Sequence, residues 1–120
     1  MKEREEAVIF CMTLKSVYQD MPFHDPGWIV IRHKDNHKIF AWIFERENHI
    51  WINVKCNPEW RDLWRNTYKA VLPGWHLNKE HWNSIILDET IPDREIHRMI
   101  EESYDLTKTK QKKKVKNRGK

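Results

Sequence analysis

Between residues 28 and 56 the chain is organised by a hydrophobic period of two. Residues 28–33, 38–45 and 49–56 are rich in Ile, Val, Phe and Trp, and only the short polar stretches 34–37 and 46–48 separate them. Alternation over such lengths marks strands. Connections this short leave neighbouring strands only antiparallel pairing, so a three-stranded meander is expected. In the last run Ile50, Ile52, Val54 and Cys56 share a face and Trp51, Asn53 and Lys55 the other, which makes the first set the core candidate. The middle run is apolar on both faces, Phe40, Trp42 and Phe44 alternating with Ile39, Ala41 and Ile43. It therefore sits centrally, or its outer face binds something.

Helical spacing flanks this block. Ala7, Phe10, Cys11, Leu14, Val17, Tyr18 and Met21 recur at three-four intervals, which predicts one amphipathic helix stopped by Pro22. Glu3, Glu5 and Glu6 in its opening turn suit the positive end of the helix dipole. Asn57 followed by Pro58 is a helix start: the Asn side chain can accept from an otherwise unpaired amide, and proline is tolerated at the first helical position. Trp60, Leu63, Trp64, Thr67 and Val71 mark one side of this second helix. Pro73 and Gly74 close it and admit a short strand over 75–77, a polar turn over 78–81 and a partner strand over 82–87. Pro92, Asp93 and Glu95 open a last helix, buried through Ile96, Met99, Ile100 and Ser103 and ending near Leu106. The order helix, three strands, helix, two strands, helix predicts a two-layer α+β sandwich. It has one antiparallel sheet with helices on one face and the other face available to solvent.

Composition narrows the function classes. A chain of 120 residues has room for one domain, and 39% hydrophobic residues, seven of them Trp, exclude wholesale disorder. No apolar run approaches the ~18 residues of a membrane helix, and residues 1–6 are charged where a secretory signal turns apolar, so a cytoplasmic protein is expected. Two cysteines are too few for a disulfide scaffold or, by themselves, a four-thiolate zinc site. The formal charge of +4 hides a division: residues 108–120 hold eight Lys or Arg and no acid, leaving 14 basic against 18 acidic side chains in residues 1–107. The domain is thus residues 1–107, followed by a basic tail, 108–120, that has only Val115 to bury and is expected to be disordered. Such a tail attracts phosphate backbones without reading sequence, or serves as a solubilising terminus.

The densest run of special residues is Pro73-Gly74-Trp75-His76-Leu77-Asn78-Lys79-Glu80-His81-Trp82-Asn83, followed later by Ser103-Tyr104-Asp105-Leu106. These segments resemble the signatures of the MmcQ/YjbR family, small bacterial proteins whose pattern is roughly Pro-Gly-aromatic-His-apolar-Asn-Lys-x-His-Trp and then Ser-Tyr-Asp-Leu. Lys38-Ile39-Phe40-Ala41 and Val54-Lys55-Cys56-Asn57-Pro58 resemble it too, and the similarity covers nearly all of residues 1–107. His37 departs from it where the family often has Gly, Glu80 where a second Lys is frequent, and the basic tail lies outside the pattern. The resemblance implies a CyaY-like fold, in agreement with the element order. It also implies a DNA-binding role through two protruding loops that enter grooves like a pair of wings.

On that reading the first loop, 32–38, presents Arg32, Lys34 and Lys38, and Lys55 adds a cation. The second offers His76, Asn78, Lys79 and His81, whose amide, cation and imidazoles can pair with base edges. His76 and Asn78 equally suit satisfaction of a tight turn's backbone, and Trp82 is expected to be structural. Two imidazoles, His76 and His81, do not complete a metal site. Ser84, His81 and Asp88 lack the strand-turn-helix elbow of a hydrolase, and three scattered glycines build no phosphate cradle. No enzyme, cofactor or metal is therefore expected, and DNA is the expected partner of a monomer. Two alternatives stand beside this. One is a protein-interaction module using the aromatic sheet face at Trp42, Trp51 and neighbouring Phe residues; the weaker is frataxin-like metal binding by Glu3, Glu5 and Glu6.

Overall fold

A computed structural model describes residues 1–25 and 27–110. Its elements run α1 (Arg4–Met12), β1 (Val17–Asp20), β2 (Ile29–His33), β3 (Ile39–Arg46), β4 (His49–Lys55), α2 (Pro58–Thr67), β5 (Val71–Pro73), β6 (Trp82–Ile86) and α3 (Asp93–Thr107). All strand pairs are antiparallel and form one six-stranded sheet of order β1-β2-β3-β4-β6-β5. On one side of this sheet Ala7 and Cys11 of α1 and Ile96, Met99 and Ile100 of α3 close a core over Ile31, Ala41, Ile43, Ile52, Val54 and Ile85. Each of the Ile, Val and Met side chains among them contributes about 1.5–3 kcal/mol by leaving water. The fold is the expected α+β sandwich, and the meander over 28–56 and the last helix form where their periodicity places them.

One strand is additional. The expected first helix, drawn out to Met21, ends instead at Met12, where Thr13 folds its hydroxyl onto the Phe10 carbonyl at 2.6 Å. Ser16 then takes a left-handed φ of 60°, and residues 17–20 pair with β2 as an edge strand. Val17 and Tyr18 fit the three-four spacing of a helix, but they are also β-branched and aromatic, and the open edge of β2 offers them a full ladder. The order is therefore α-β-β-β-β-α-β-β-α.

Three further expectations change. The short strand is residues 71–73, not 75–77, because α2 stops at Thr67 and His76 adopts φ 65°, which extended backbone does not allow. The apolar side of α2 is not buried: Trp60 and Leu63 are each 52% exposed, and the helix packs mainly through Trp64. In β3 the register steps from Ile31↔Ala41 to Arg32↔Ile39, leaving Phe40 as the extra residue of a bulge. The bulge turns Phe40 to the helix side, where its ring meets Tyr104 edge-on. Asn57 caps α2 as expected, its Oδ1 accepting from Glu59 N at 3.0 Å.

The second sheet face is not open. Phe44, Asn53 and Ser84 are at most 1% exposed and Trp51 3%, because the segments before β2 and after β5 fold back over them. The proposed aromatic docking face is thus largely occupied by the chain itself: Trp28 stacks on Phe44 at 4.2 Å, and Trp75 on Phe44 at 5.4 Å.

Candidate nucleic-acid interface

The antiparallel ladders gather the expected site at one end of the sheet. The turn 34–38 joins β2 to β3 there, Lys55 ends β4 opposite Trp82, and residues 74–81 link β5 to β6 at the same end. Helix α3 finishes beside the first turn, where Asn36 Nδ2 donates to Thr107 O at 3.0 Å. Residues leading into the basic tail therefore start at this end too, and Lys15, Lys108 and Lys110 line a recess with His33 and Asp35. Three strand spacings separate the β2–β3 and β5–β6 hairpins, about 14 Å at ~4.8 Å per strand.

The side chains divide into those that face solvent and those that build the loops. Lys34 and Lys38 are exposed and Lys55 half-buried, and among the described residues none is ion-paired. Arg32 is different. Its Nε meets Asp20 Oδ2 at 2.8 Å and its Nη1 donates to His37 O at 2.8 Å, so its charge is neutralised within the edge of the sheet. His37 occupies the left-handed region at φ 64°, a conformation that costs a side-chain-bearing residue energy and suits glycine. A hydrogen bond of 2.9 Å between His37 Nδ1 and the Tyr18 hydroxyl offsets part of that cost. This is a physical reason for the family pattern to favour Gly at the position.

The second loop is fastened from two sides. On the sheet, Ser84 Oγ accepts from Trp75 N at 2.8 Å and donates to Asn53 Oδ1, while Asn53 Nδ2 donates to Trp75 O at 3.0 Å. Both polar groups of the Trp75 backbone are thereby met by two buried side chains. From α2, Arg61 Nη1 donates to Glu80 O at 3.2 Å, and Arg65 donates to Asn83 Oδ1 at 2.7 Å and to Lys79 O. Lys79 Nζ closes the loop on Gly74 O at 3.0 Å, and Asn78 Oδ1 accepts from Glu80 N at 2.8 Å as a turn residue. Trp82 is half-buried, and its carbonyl accepts from Gly74 N at 2.9 Å. Of the expected contacts in this loop only His76 and His81 present their rings to solvent without a role in closing it. His76 lies against Trp75 at 4.0 Å between centroids.

The later signature is structural as well. Ser103 Oγ accepts from Lys55 N at 2.8 Å and donates to Phe40 O at 2.6 Å, tying α3 to two strands. The Tyr104 hydroxyl donates to Lys15 O at 2.6 Å. Thr107 gives its proton to Ser103 O at 2.7 Å, so its oxygen is left to accept from His33 Nε2 at 2.8 Å. Burial lowers His33 below the ordinary imidazole range, although its bond to the Tyr104 backbone acts the other way. Burial pushes the Cys11 thiol up to about 12 and Cys56 to about 11, which makes both poor nucleophiles near neutral pH.

Residue-by-residue reasoning missed Arg61, Arg65 and Asn53. The signal for the first two was their i,i+4 spacing on one side of a helix followed by a glycine-hinged loop. For Asn53 it was a lone amide within a strand of Ile, Val and Trp. Glu6, offered for metal, has its carboxylate held below the usual range by the backbone amides of Glu3 and Lys2, both at 2.9 Å. Among the described residues no group of three or more His, Cys, Asp or Glu is arranged to hold a metal ion.

The YjbR family model matches residues 12–106. The chain belongs to the YjbR family. The relatives include the uncharacterised YyaQ of Bacillus subtilis, 40% identical over 93 residues, which cover 69% of this chain and 78% of that protein. Escherichia coli YjbR, also uncharacterised, is 32% identical over 99 residues, covering 82% of this chain and 81% of its own. A Deinococcus radiodurans crystal structure with a DUF419 domain superposes with a TM-score of 0.79 at 25% identity, covering 88% of this chain and 78% of its own. A Pseudomonas syringae crystal structure does so with 0.79 at 27%, covering 88% and 99%. In YjbR-family terms, the signature residues described above mainly hold one loop and one helix against the sheet.

Proposed function

We propose that the protein is a non-enzymatic nucleic-acid-binding protein that meets the phosphate backbone with the sheet end formed by Lys34, Lys38 and Lys55. The observation that carries this reading is that these lysines and the base of the basic tail share one end of the molecule. Lys15, Lys108 and Lys110 extend the same cationic surface, against the carboxylates of Asp35 and of Asp105, which pairs with Lys108 at 3.1 Å. The ~14 Å between the two hairpins is close to the ~12 Å width of a major groove, so the tips can address both of its walls. Arg32 and Lys79 belong to the scaffold in this account, and His76, Asn78 and His81 offer contacts secondary to the lysines. Cations without bidentate partners aimed at bases favour backbone attraction over sequence reading.

Binding of a labelled duplex, followed by fluorescence anisotropy across a salt series, tests this. Replacing Lys34, Lys38 and Lys55 by Ala is expected to lower the log-log salt slope by about 0.9 for each lost phosphate contact. An unchanged slope in the triple variant, or no affinity of residues 1–107 for the duplex at low salt, rules out the sheet end as the interface.

A further inference from the structure

We infer that the cavity on the outer face of the sheet binds the methylated ammonium head of a small organic cation. This goes beyond the nucleic-acid reading and does not depend on it. The cavity measures about 340 Å³ and is walled chiefly by Phe23, Trp28, Trp42 and Trp75, with Asp25 and His76 at its polar edge. Its volume lies at the small end of the ~300–1,000 Å³ typical of ligand sites, which fits a headgroup or a compact molecule.

Shape and charge point to the same ligand. Phe23 lies nearly parallel to Trp42, with centroids 6.0 Å apart and planes at 20°, and Trp28 nearly parallel to Trp75 at 6.2 Å and 16°. Phe23 and Trp28 meet at 78°. The two ring pairs therefore stand almost at right angles, so aromatic surface borders the cavity in two orientations, which suits a compact tetrahedral group resting against them better than a flat ring. Aromatic faces carry the negative part of the ring quadrupole and attract cations. Asp25 adds a full negative charge and is oriented, since its Oδ1 accepts from Gly27 N at 2.8 Å. The same aromatic cluster already seats a cation: Arg46 Cζ lies 4.9 Å from the Trp51 centroid and 4.8 Å from that of Trp75, its charge offset by Glu47 at 3.0 Å.

The walls are largely preformed. Trp75 is clamped through both its backbone groups, and Trp28 is stacked on buried Phe44. Binding there loses little to ordering of these two rings. Phe23, 45% exposed, is the most exposed of the four aromatic walls, and Trp28, Trp42 and Trp75 are half-buried. A neutral apolar guest would gain burial in this cavity but nothing from Asp25 or the ring quadrupoles.

The test titrates the full chain with choline and, in parallel, with its uncharged carbon isostere dimethylbutanol, reading the indole N–H resonances of nitrogen-labelled protein. Choline is expected to move the signals of Trp28, Trp42 and Trp75 and to leave those of Trp60 and Trp64 in place. The isostere is expected to bind at least about tenfold more weakly. Asp25→Asn should bring choline toward the affinity of the isostere, and Phe23→Leu should weaken choline while the melting temperature holds. Equal affinity for the two compounds overturns the inference, as does the absence of shifts at tens of millimolar choline. Duplex binding by the same sample reports separately on the sheet end, so failure of one reading is distinguishable from failure of the other.

Discussion

A Cβ on Gly74 would lie 2.7 Å from Trp82 Cβ and 2.9 Å from Trp82 O, closer than atoms tolerate, and the obstructing groups are backbone and a side-chain root that cannot swing away. Glycine is needed here for closeness of approach, since its φ is not in the left-handed region. Gly74→Ala is therefore expected to cost about 1–3 kcal/mol, read as a lowered midpoint in urea or heat unfolding. An unchanged midpoint would show that the loop can retreat from Trp82. The importance of Gly74 was legible from its motif; its reason was not, because the residue it touches is eight positions away across a loop. The spacing of Arg61 and Arg65 was visible, but what they hold was not, for the same cause. A helix face bearing two arginines looks solvated until the carbonyls of a distant loop arrive beside it.

At the scale of elements, pattern was readable where only one packing satisfied it. The runs over 28–56 are short, rich in Ile, Val, Phe and Trp and divided by brief polar breaks, which suits strands; Ile96, Met99, Ile100 and Ser103 can share a face only in a helix, and all four are buried there. Residues 17–20 satisfied two periods at once, and an available strand edge decided between them. The joint between β2 and α3 gives a pH prediction. His33 is held neutral by burial, so as pH falls the unfolded chain takes up this proton first. The stabilisation it contributes is complete above the unfolded value of ~6.5 and declines as the pH passes below it toward the lower folded value. Chemical denaturation between about pH 7 and about pH 5 should show this loss, and His33→Gln should flatten the difference. An identical pH slope in that variant would mean that other groups are responsible.

Over the whole molecule, charge is divided against itself. Residues 1–107 carry a net of −4 and residues 108–120 eight cations, so the sign that a polyanion meets depends on which part arrives first. Residues 111–120 lie outside the described structure, so the expected disorder of the tail does as well; its base, at Lys108 and Lys110, sits beside the first turn. Removing 108–120 should lower the salt slope of duplex binding by about 0.9 for each tail cation that had engaged a phosphate, leaving a smaller slope due to the sheet end. If the truncated and full chains give superimposable salt series, the tail takes no part.

The double fastening of residues 74–81 has a consequence for how the molecule yields to proteases. A long connection is ordinarily the first place a chain is cut, but cleavage requires the backbone to peel into an enzyme's cleft, and here that means undoing the Asn53, Ser84 and Arg65 bonds together. Among the described residues the segment before β2 is held by the turn at Asp25 and, at its far end, by the stacking of Trp28 on Phe44, while its start stays open, with Met21 60% and Phe23 45% exposed. Chymotrypsin in limiting amounts should nick the chain after Phe23 well before it reaches Trp75, and amide hydrogen at Trp75 should exchange among the slow ones although it belongs to a loop.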